Sequence, residues 1–306
     1  MTVAVDADPI LLRRIEELAV SLAQEAGAIA TEALKRAIIV NYKPDDRGRD
    51  NIYNPVSEVD HAVEEIVRAR IGSEFPDHGI IGEEVDSHPH VDAEWVWVID
   101  PIDGTANFVN GFPLFAVSIG VLRAGRPIVG AVWCSTSHIL RPGVYHAHAG
   151  GPLHLDGIEV IAERETKVRR ALAAAPGGST AGNRLWDHRV TGSTAVEIAF
   201  VAAGVFRAAP FRAPLIWDVA GGIVLVRAAG REVWIRSARG TWSPFDRFEA
   251  PVRLADQKET RAPSLRDWRA TIVAGTTEAT AYQRERWRTP SRWWRTRRWV
   301  RQRIRR

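Results

Sequence analysis

Carboxylate side chains follow apolar runs at two points of the chain and open a predicted helix at a third. They belong to Gly82-Glu83-Glu84, to Asp100-Pro101-Ile102-Asp103 and to Trp217-Asp218. Carboxylates gathered at buried strand ends repel one another and lose hydration, so a positive group has to meet them. Since neither cysteine nor histidine stands at ligand spacing beside them, these oxygen ligands favour Mg²⁺ over Zn²⁺.

The spacing within residues 100–103 indicates how such a site is built. Pro101 fixes the backbone where the strand ends, so both aspartates can face one point and the Ile102 carbonyl oxygen is left to bind a cation. Gly104-Thr105 then offers backbone N–H groups at a turn into a short helix, which suits a phosphate oxygen. A turn or a helix cap explains each segment alone equally well, but the three together predict phosphate-ester chemistry.

The elements that must position these segments alternate between helices and strands. Apolar residues recur at three- and four-residue steps after Asp8-Pro9, which predicts a long helix, and Ser57 caps a second helix that ends at Phe75-Pro76. We expect a polar loop over 43–55. Strands are predicted over 79–82, 95–99, 115–122, 128–133, 231–235 and 271–274, and further helices over 193–204 and 219–229. This alternation predicts an α/β or layered architecture.

The charge of the chain is divided unevenly. The net charge is +4, yet residues 283–306 hold eleven arginines and one acid, so this segment carries +10 and the remainder carries −6. The overall positive charge is therefore no argument that the chain binds nucleic acid. A hydrophobic fraction of 45% with 25% charged residues excludes wholesale disorder.

Other features of the composition indicate a soluble, cytoplasmic protein. Cys134 is the single cysteine, which excludes an intramolecular disulfide and a cysteine-based metal site. Residues 1–9 lack the basic and apolar segments of a secretory signal. The longest apolar run, 198–206, is far shorter than the roughly 20 residues that span a bilayer.

Two longer segments resemble the signatures of a known family. Residues 100–108 resemble the first signature of the inositol monophosphatase family, and residues 217–222 resemble its second. Supporting elements stand in the family's order: Val56-Ser57-Glu58-Val59-Asp60, Gly82-Glu83-Glu84 and Gly192-Ser193-Thr194-Ala195. The resemblance covers residues 8–276.

This resemblance implies the α–β–α–β–α sandwich of the inositol monophosphatase and fructose-1,6-bisphosphatase type. It implies a catalytic domain over 1–276, with two packed lobes over about 1–150 and 151–276, and leaves 277–306 as an Arg/Trp-rich helix or disordered tail. The implied activity is Mg²⁺-dependent hydrolysis of a small phosphate monoester with two or three ions bound. A homodimer, common in the family, stays open.

The family's metal ligands transfer position by position. Glu83, Asp100 and the Ile102 carbonyl would hold one Mg²⁺, and Asp100, Asp103 and Asp218 a second. One ion would activate the attacking water and the other would stabilise the leaving oxygen.

Catalytic and substrate-binding roles follow from the same resemblance. Asp60 and Thr105, together with Glu83, are the implied catalytic residues that orient and activate the water. The implied substrate-binding residues are Asp103, Gly104, Thr105, Gly192, Ser193 and Thr194. The neighbouring Glu84 is expected to face away.

The match weakens where the substrate is chosen. The position that holds a glutamate in members acting on inositol phosphate falls on Phe211, whose ring accepts no hydrogen bond from a polyol. Arg212 could meet a second anionic group instead and so bind a bisphosphate or carboxylated substrate. The alternative is that Phe211 fills the core and Arg212 points to water.

Several activities therefore stay open at this point. Inositol 1-phosphate is the family's default substrate, and the alternatives are histidinol-phosphate phosphatase, 3′(2′),5′-bisphosphate nucleotidase and fructose bisphosphatase. A hypothesis of another class is an anion-binding protein acting through residues 283–306. That tail could be disordered, bind an anionic membrane surface, or bind nucleic acid through arginine and stacked tryptophan.

Two histidine pairs resemble metal-binding pairs. They are His88-Pro89-His90 and His146-Ala147-His148. No carboxylate of a signature stands beside either pair, so the sequence favours solvated histidines in a loop and a strand.

Overall fold

The computed structural model describes residues 7–44, 48, 50–85, 93–162, 170–175, 185–251 and 263–287. Its helices are α1 (Pro9–Ala33), α2 (Glu58–Glu74), α3 (Thr105–Val109), α4 (Thr194–Ala202), α5 (Ile216–Ala228) and α6 (Thr277–Glu285), with a short 3₁₀ helix at Leu265–Asp267. The strands are β1 (Val40–Pro44), β2 (Asp50–Ser57), β3 (Gly79–Gly82), β4 (Trp95–Asp103), β5 (Ala116–Arg123), β6 (Arg126–Cys134), β7 (Gly143–His148), β8 (His154–Leu155), β9 (Ile158–Glu159), β10 (Ala171–Ala174), β11 (Trp186–Arg189), β12 (Ala208–Phe211), β13 (Glu232–Arg236), β14 (Trp242–Pro244) and β15 (Thr271–Gly275). The pair His88 and His90 and the tail beyond 287 lie outside the described residues.

A seven-stranded sheet forms the centre of the molecule. Its strands follow the order β3-β4-β5-β6-β7-β8-β9, with β3 parallel to β4 and the other neighbours antiparallel. All nine residues of β4 are buried, as expected for a continuous apolar run covered on both faces. The sheet continues to Glu159, past the lobe boundary expected near 150.

Helices α1 and α2 cover one face of this sheet. Helix α1 begins where Asp8 accepts a hydrogen bond from the N–H of Ile10, and α2 begins with a capping box between Ser57 and Asp60. Their apolar stripes share one core with alternate residues of β4, β5 and β6. Both helices were predicted from the sequence, and both are confirmed.

Helices α4 and α5 lie between the other face of this sheet and a second, four-stranded sheet of order β12-β15-β13-β14. Helix α6 packs against the second sheet from outside. The layers are therefore α–β–α–β–α, which confirms the expected fold. Helix α5 sits very close to the central sheet, because a Cβ on Gly130 would lie 2.2 Å from the carbonyl oxygen of Gly221.

One sequence prediction of local structure is wrong. The expected loop over 43–55 forms most of a two-stranded ribbon, in which Val40 pairs with Ser57 and Pro44 with Asp50. Proline and asparagine are tolerated there because both strands of such a ribbon are edge strands. Among the described residues, no helix is long and apolar enough to cross a membrane.

Candidate active site

Three aspartates from two elements meet at the end of β4. One carboxylate oxygen from each of Asp100, Asp103 and Asp218 lies within 4.8 Å of the others. Asp100 is 1% exposed and Asp103 is 8% exposed. Asp218 arrives from the first turn of α5, where its Oδ2 accepts a 2.8 Å hydrogen bond from the N–H of Leu215.

Burial and nearby charge both act on these carboxylates. Burial raises the pKa of all three, that of Asp103 to about 6, and the charge of Glu83 raises each of them further. No described lysine or arginine forms an ion pair with them, since their hydrogen bonds come from backbone N–H groups and one hydroxyl. Two buried carboxylates and one half-buried carboxylate, which offer only oxygen, fit a hard divalent cation such as Mg²⁺.

Asp103 is held by the start of helix α4. Its Oδ2 accepts hydrogen bonds from the hydroxyl of Ser193 and, at 2.7 Å, from the N–H of Ala195. The preceding Gly192 adopts a φ of +80° beside the side chain of Asn107, and its carbonyl lies 3.3 Å from a Cβ placed on Gly104. The expected substrate-binding segment 192–194 therefore lies against the first signature, and its serine supports a carboxylate of the cluster.

Asp60 and Thr105 lie together, as the family resemblance implied. Asp60 Oδ2 accepts hydrogen bonds from the N–H and the hydroxyl of Ser57, and Oδ1 lies 3.2 Å from Thr105 Oγ1. Thr105 Oγ1 is also 3.0 Å from the Ile102 carbonyl oxygen. Burial raises the pKa of Asp60, which makes this carboxylate a better proton acceptor near neutral pH.

Glu83 lies beside the cluster rather than inside it. Lys43 Nζ binds Glu83 Oε1 at 2.6 Å and Glu84 Oε1 at 2.7 Å. The expectation that Glu84 faces away is therefore wrong: its side chain is 3% exposed and shares the lysine with Glu83. Burial raises the pKa of Glu84 to about 7, while the charge of Glu83 is a further cause of the raised pKa of Asp100.

The backbone of this segment is held by two residues that sequence reasoning missed. Glu64 of α2 is fully buried and accepts hydrogen bonds from the N–H groups of Glu84 (2.7 Å) and Val85 (3.1 Å). From the other side, Arg266 donates to the carbonyl oxygens of Gly82 and Glu83. A Cβ on Gly82 would lie 2.0 Å from Glu64. Gly82 was therefore the one sign in the sequence that another side chain packs against this segment.

A cavity of about 350 Å³ opens next to this segment. Its lining combines two acids, three bases and two apolar side chains: Lys43, Glu83, Leu215, Trp217, Arg266, Asp267 and Arg269. The guanidinium groups of Arg266 and Arg269 lie 4.9 and 5.8 Å from the ring centre of Trp217. The charge of Arg269 also acts on Asp218, opposing the rise in its pKa.

The structure places Phe211 and Arg212 away from this cavity's lining. Phe211 is 2% exposed in β12, which confirms the interpretation that it fills the core. Arg212 is exposed, and its guanidinium lies 4.1 Å over the ring of Trp287. The position at which a polyol hydroxyl would meet a glutamate thus offers no carboxylate.

Most of the sequence matches a known protein family. The model of the inositol monophosphatase family matches residues 11–270. A probable inositol 1-monophosphatase of Mycobacterium tuberculosis is 32% identical in an alignment of 266 positions that covers 79% of this chain and 94% of that protein. An inositol-1-monophosphatase of Bacillus subtilis is 31% identical in an alignment of 230 positions that covers 71% of this chain and 83% of that protein.

Solved structures share the fold. A crystal structure described as an IMPase/NADP phosphatase complexed with Mg²⁺ and phosphate superposes with a TM-score of 0.67 at 17% sequence identity. The match covers 90% of this chain and 94% of that one. At this identity the likeness supports the layered fold.

Proposed function

Because the chain belongs to the inositol monophosphatase family, whose members are phosphoric monoester hydrolases, we propose that it hydrolyses a small phosphate monoester with Mg²⁺ bound at Asp100, Asp103 and Asp218. The observation that carries this proposal is the buried cluster itself. Three carboxylates within 4.8 Å, with raised pKa values and without an ion-paired base among the described residues, call for a divalent cation.

We assign the metal-holding role to the three aspartates and to the carbonyl oxygen of Ile102. Glu83 would join them when its ion pair with Lys43 opens, which accounts for its place beside the cluster. Bound Mg²⁺ would lower the pKa of the attacking water and would neutralise the charge that develops on the phosphate oxygens.

The protein's own groups position the water and the phosphate. When the Thr105 hydroxyl donates to Asp60 Oδ1, its lone pairs are left to accept a hydrogen bond from the attacking water, and Asp60 can receive the proton through Thr105. The backbone N–H groups of Gly104 and Thr105 are our candidates for the phosphate oxygens. Ser193 keeps Asp103 in place throughout.

The substrate's remaining groups distinguish two candidates. Inositol 1-phosphate comes first, because the relatives named above are inositol 1-monophosphatases. A monoester with a second anionic group, such as a bisphosphate nucleotide or sugar bisphosphate, is favoured by the cavity lined by Lys43, Arg266 and Arg269. The buried Phe211 supports this second candidate, since it removes a hydrogen-bond acceptor for a polyol.

Phosphate release from a panel of substrates tests both parts of the proposal. The panel holds inositol 1-phosphate, histidinol phosphate, 3′-phosphoadenosine 5′-phosphate and fructose 1,6-bisphosphate, each with and without Mg²⁺. We expect Mg²⁺-dependent turnover of at least one compound. Absence of such turnover on the whole panel would overturn the proposed activity.

Charge-removing variants then decide between the substrate classes. If a bisphosphate is the substrate, Arg269→Gln should raise its KM with less effect on kcat, while Arg239→Gln, at an exposed arginine outside the cavity, should change neither. Arg212→Gln separately tests the sequence-based prediction that Arg212 binds a second anionic group of the substrate; if it does, this variant should also raise KM. Equal KM values in wild type and Arg269→Gln would remove the cavity from substrate recognition.

Three further expectations stay predictions. They are the homodimer, the cytoplasmic location and the binding of an anionic membrane surface or nucleic acid by the basic tail. Residues 288–306 of that tail lie outside the described part of the chain.

A further inference from the structure

Three histidines share one face at the β7–β8 end of the central sheet. His146 and His148 are two residues apart in β7, so their side chains point to the same side of the sheet. His154 of β8 stands directly opposite His146 in the antiparallel register. Val144, on the same side of β7, packs in the core shared with α1, which places this face beneath that helix.

Helix α1 brings a carboxylate to these imidazoles. Glu16 Oε1 lies 2.7 Å from Nδ1 of His146, and Oε2 lies 2.6 Å from Nδ1 of His148. The side chains of Glu16 and His146 are each 13% exposed, and that of His148 is 38% exposed. The sequence-based interpretation of this pair as solvated histidines is therefore wrong for His146. The sequence did not indicate this contact, because Glu16 and His146 are 130 residues apart.

One nitrogen in this group has no partner among the described residues. Nδ1 of His154 is buried and makes no hydrogen bond, although its ring stacks on that of His146 with centroids 5.1 Å apart. One ligand atom each from Glu16, His146 and His154 lies within 4.8 Å of the other two. His154 therefore brings a buried nitrogen without a hydrogen-bond partner to a group that also holds a carboxylate and a second imidazole, and such a group is suited to bind an ion.

We propose that Glu16, His146 and His154 form a second cation site that binds Zn²⁺ or a similar transition-metal ion. Two imidazoles and one carboxylate are a ligand set suited to Zn²⁺, with water completing the coordination, whereas Mg²⁺ prefers oxygen alone. His148 binds the other oxygen of Glu16 and so fixes the orientation of the ligating carboxylate. The half-exposed His148 leaves the site a path to solvent.

Coordination requires a proton to move within His146. Gly157 donates from its backbone N–H to Nε2 of His146 at 3.3 Å, so the proton of this neutral ring lies on Nδ1, facing Glu16. When Nδ1 binds the ion, the proton moves to Nε2 and this long hydrogen bond from Gly157 is given up. The ring stays neutral, and two hydrogen bonds, from Nδ1 to Glu16 Oε1 and from Gly157 to Nε2, are exchanged for the bonds that His146 and Glu16 make to the ion.

Cobalt absorption separates this site from the aspartate cluster. Co²⁺ is added to the full chain in excess Mg²⁺, so that the oxygen-only site is filled. Four-coordinate, nitrogen-ligated Co²⁺ absorbs visible light far more strongly than six-coordinate Co²⁺ among oxygens. We expect intense visible bands at one equivalent, and we expect Zn²⁺ to remove them.

Matched variants assign the bands to their ligands. His146→Gln and His154→Gln should each weaken Co²⁺ binding at least tenfold, while His61→Gln, at an exposed histidine of α2, and Asp218→Asn should leave the bands intact. Absence of intense bands in the wild type would overturn the proposal. Bands that persist in His154→Gln but vanish in Asp218→Asn would do the same.

A measurement on the wild-type protein covers the case in which a histidine variant does not fold. Imidazole ¹⁵N spectra with and without Zn²⁺ should show two histidine nitrogens shifting together at one equivalent. Unchanged imidazole signals in the presence of Zn²⁺ would refute the site without any substitution.

Discussion

The molecule holds two groups of ionisable side chains whose carboxylates behave in opposite ways. At the end of β4, burial raises the pKa of Asp100, Asp103 and Asp218. Beneath α1, burial acts in the same direction on Glu16, but the hydrogen bonds and charges of His146 and His148 outweigh it and lower its pKa to about 2.

The opposite pKa shifts of the aspartates and of Glu16 indicate which of the two groups needs a cation for stability. Among the described residues no lysine or arginine forms an ion pair with the aspartates, so without metal their repulsion and lost hydration oppose folding, and a bound cation relieves both. Glu16 already has two histidines as hydrogen-bond partners and contributes to stability without metal. A metal at the second site therefore replaces hydrogen bonds that Glu16 already makes, whereas at the first site it relieves repulsion between carboxylates.

The largest expected effect is on catalysis at the first group. Asp103→Asn keeps an acceptor oxygen for Ser193 but removes one negative charge from the proposed metal site. We expect kcat to fall by roughly 10³-fold or more, as for loss of an electrostatic catalytic group. Steady-state phosphate release measures this; a variant within tenfold of wild type would contradict the role of the cluster. The matched control Glu278→Gln removes an exposed carboxylate elsewhere and should retain full activity.

The same group should show a trade between stability and metal binding. Asp218→Asn preserves the oxygen that caps α5 and relieves repulsion between the carboxylates. In EDTA at pH 7 we therefore expect the free energy of unfolding of the variant to be about 1–3 kcal/mol higher than that of wild type. Added Mg²⁺ should stabilise wild type and leave the variant nearly unchanged. Urea titrations with and without Mg²⁺ measure both effects. A variant destabilised in EDTA would show that the cluster is not repulsive.

The second group should give the opposite sign. Glu16→Gln removes the carboxylate that accepts hydrogen bonds from both histidines. We therefore expect the free energy of unfolding near pH 6 to fall by about 1–3 kcal/mol. Gln keeps the length of the side chain and serves as the isosteric comparison with Asp218→Asn. Equal or increased stability of Glu16→Gln at pH 6 would erase the contrast between the two groups.

The pH dependence of that loss follows from the direction of the pKa shifts. The lowered pKa of Glu16 gives stability above its usual value of 4.5, which disappears as pH falls through that range toward about 2. The hydrogen bond to Glu16 raises the pKa of His148 above 6.5, so its contribution is lost as pH rises through the raised value. The difference between wild type and Glu16→Gln should therefore peak between about pH 4.5 and 6.5. Unfolding curves at pH 3, 5.5 and 9 check this; a flat difference across them would contradict it.

The smallest expected effect concerns Lys43, which forms an ion pair with Glu83 beside the proposed metal site. Lys43→Met releases Glu83, which then can join the cluster, and we expect Mg²⁺ binding to tighten by roughly 2–5-fold, the size of a partly exposed ion pair. Calorimetric titration with Mg²⁺ in the absence of substrate isolates this effect. Weaker binding in the variant would show that Lys43 supports the ligand geometry instead of competing with it.

Sequence reasoning found the elements and groups that local patterns specify. Strand β4 could be predicted because its apolar run is typical of a buried strand. Its terminal aspartates could be singled out because carboxylates are unusual at the end of such a strand. The start of α2 at Ser57 followed from its capping chemistry. The pairing of Asp60 with Thr105 came from the family resemblance, since 45 residues separate them.

What the sequence could not supply depends on register and on long-range contacts. Arg266 reaches the Gly82 carbonyl across 184 residues, through a segment without periodic pattern. The histidine face required knowing that β8 places His154 opposite His146, and that α1 turns Glu16 toward both. Phe211 could be located as a substitution, but only its burial in β12 showed that it belongs to the core.

Helix α5 has a consequence for motion at the site. From Val219 through Val226 every residue of this helix is buried, and Gly221 lets it lie at backbone distance from the central sheet. Asp218 therefore cannot leave the cluster by fraying of a surface segment, because its helix opens only when both sheets separate. The amide protons of α5 should exchange with solvent only through global unfolding, so metal ions must enter and leave a site that stays assembled.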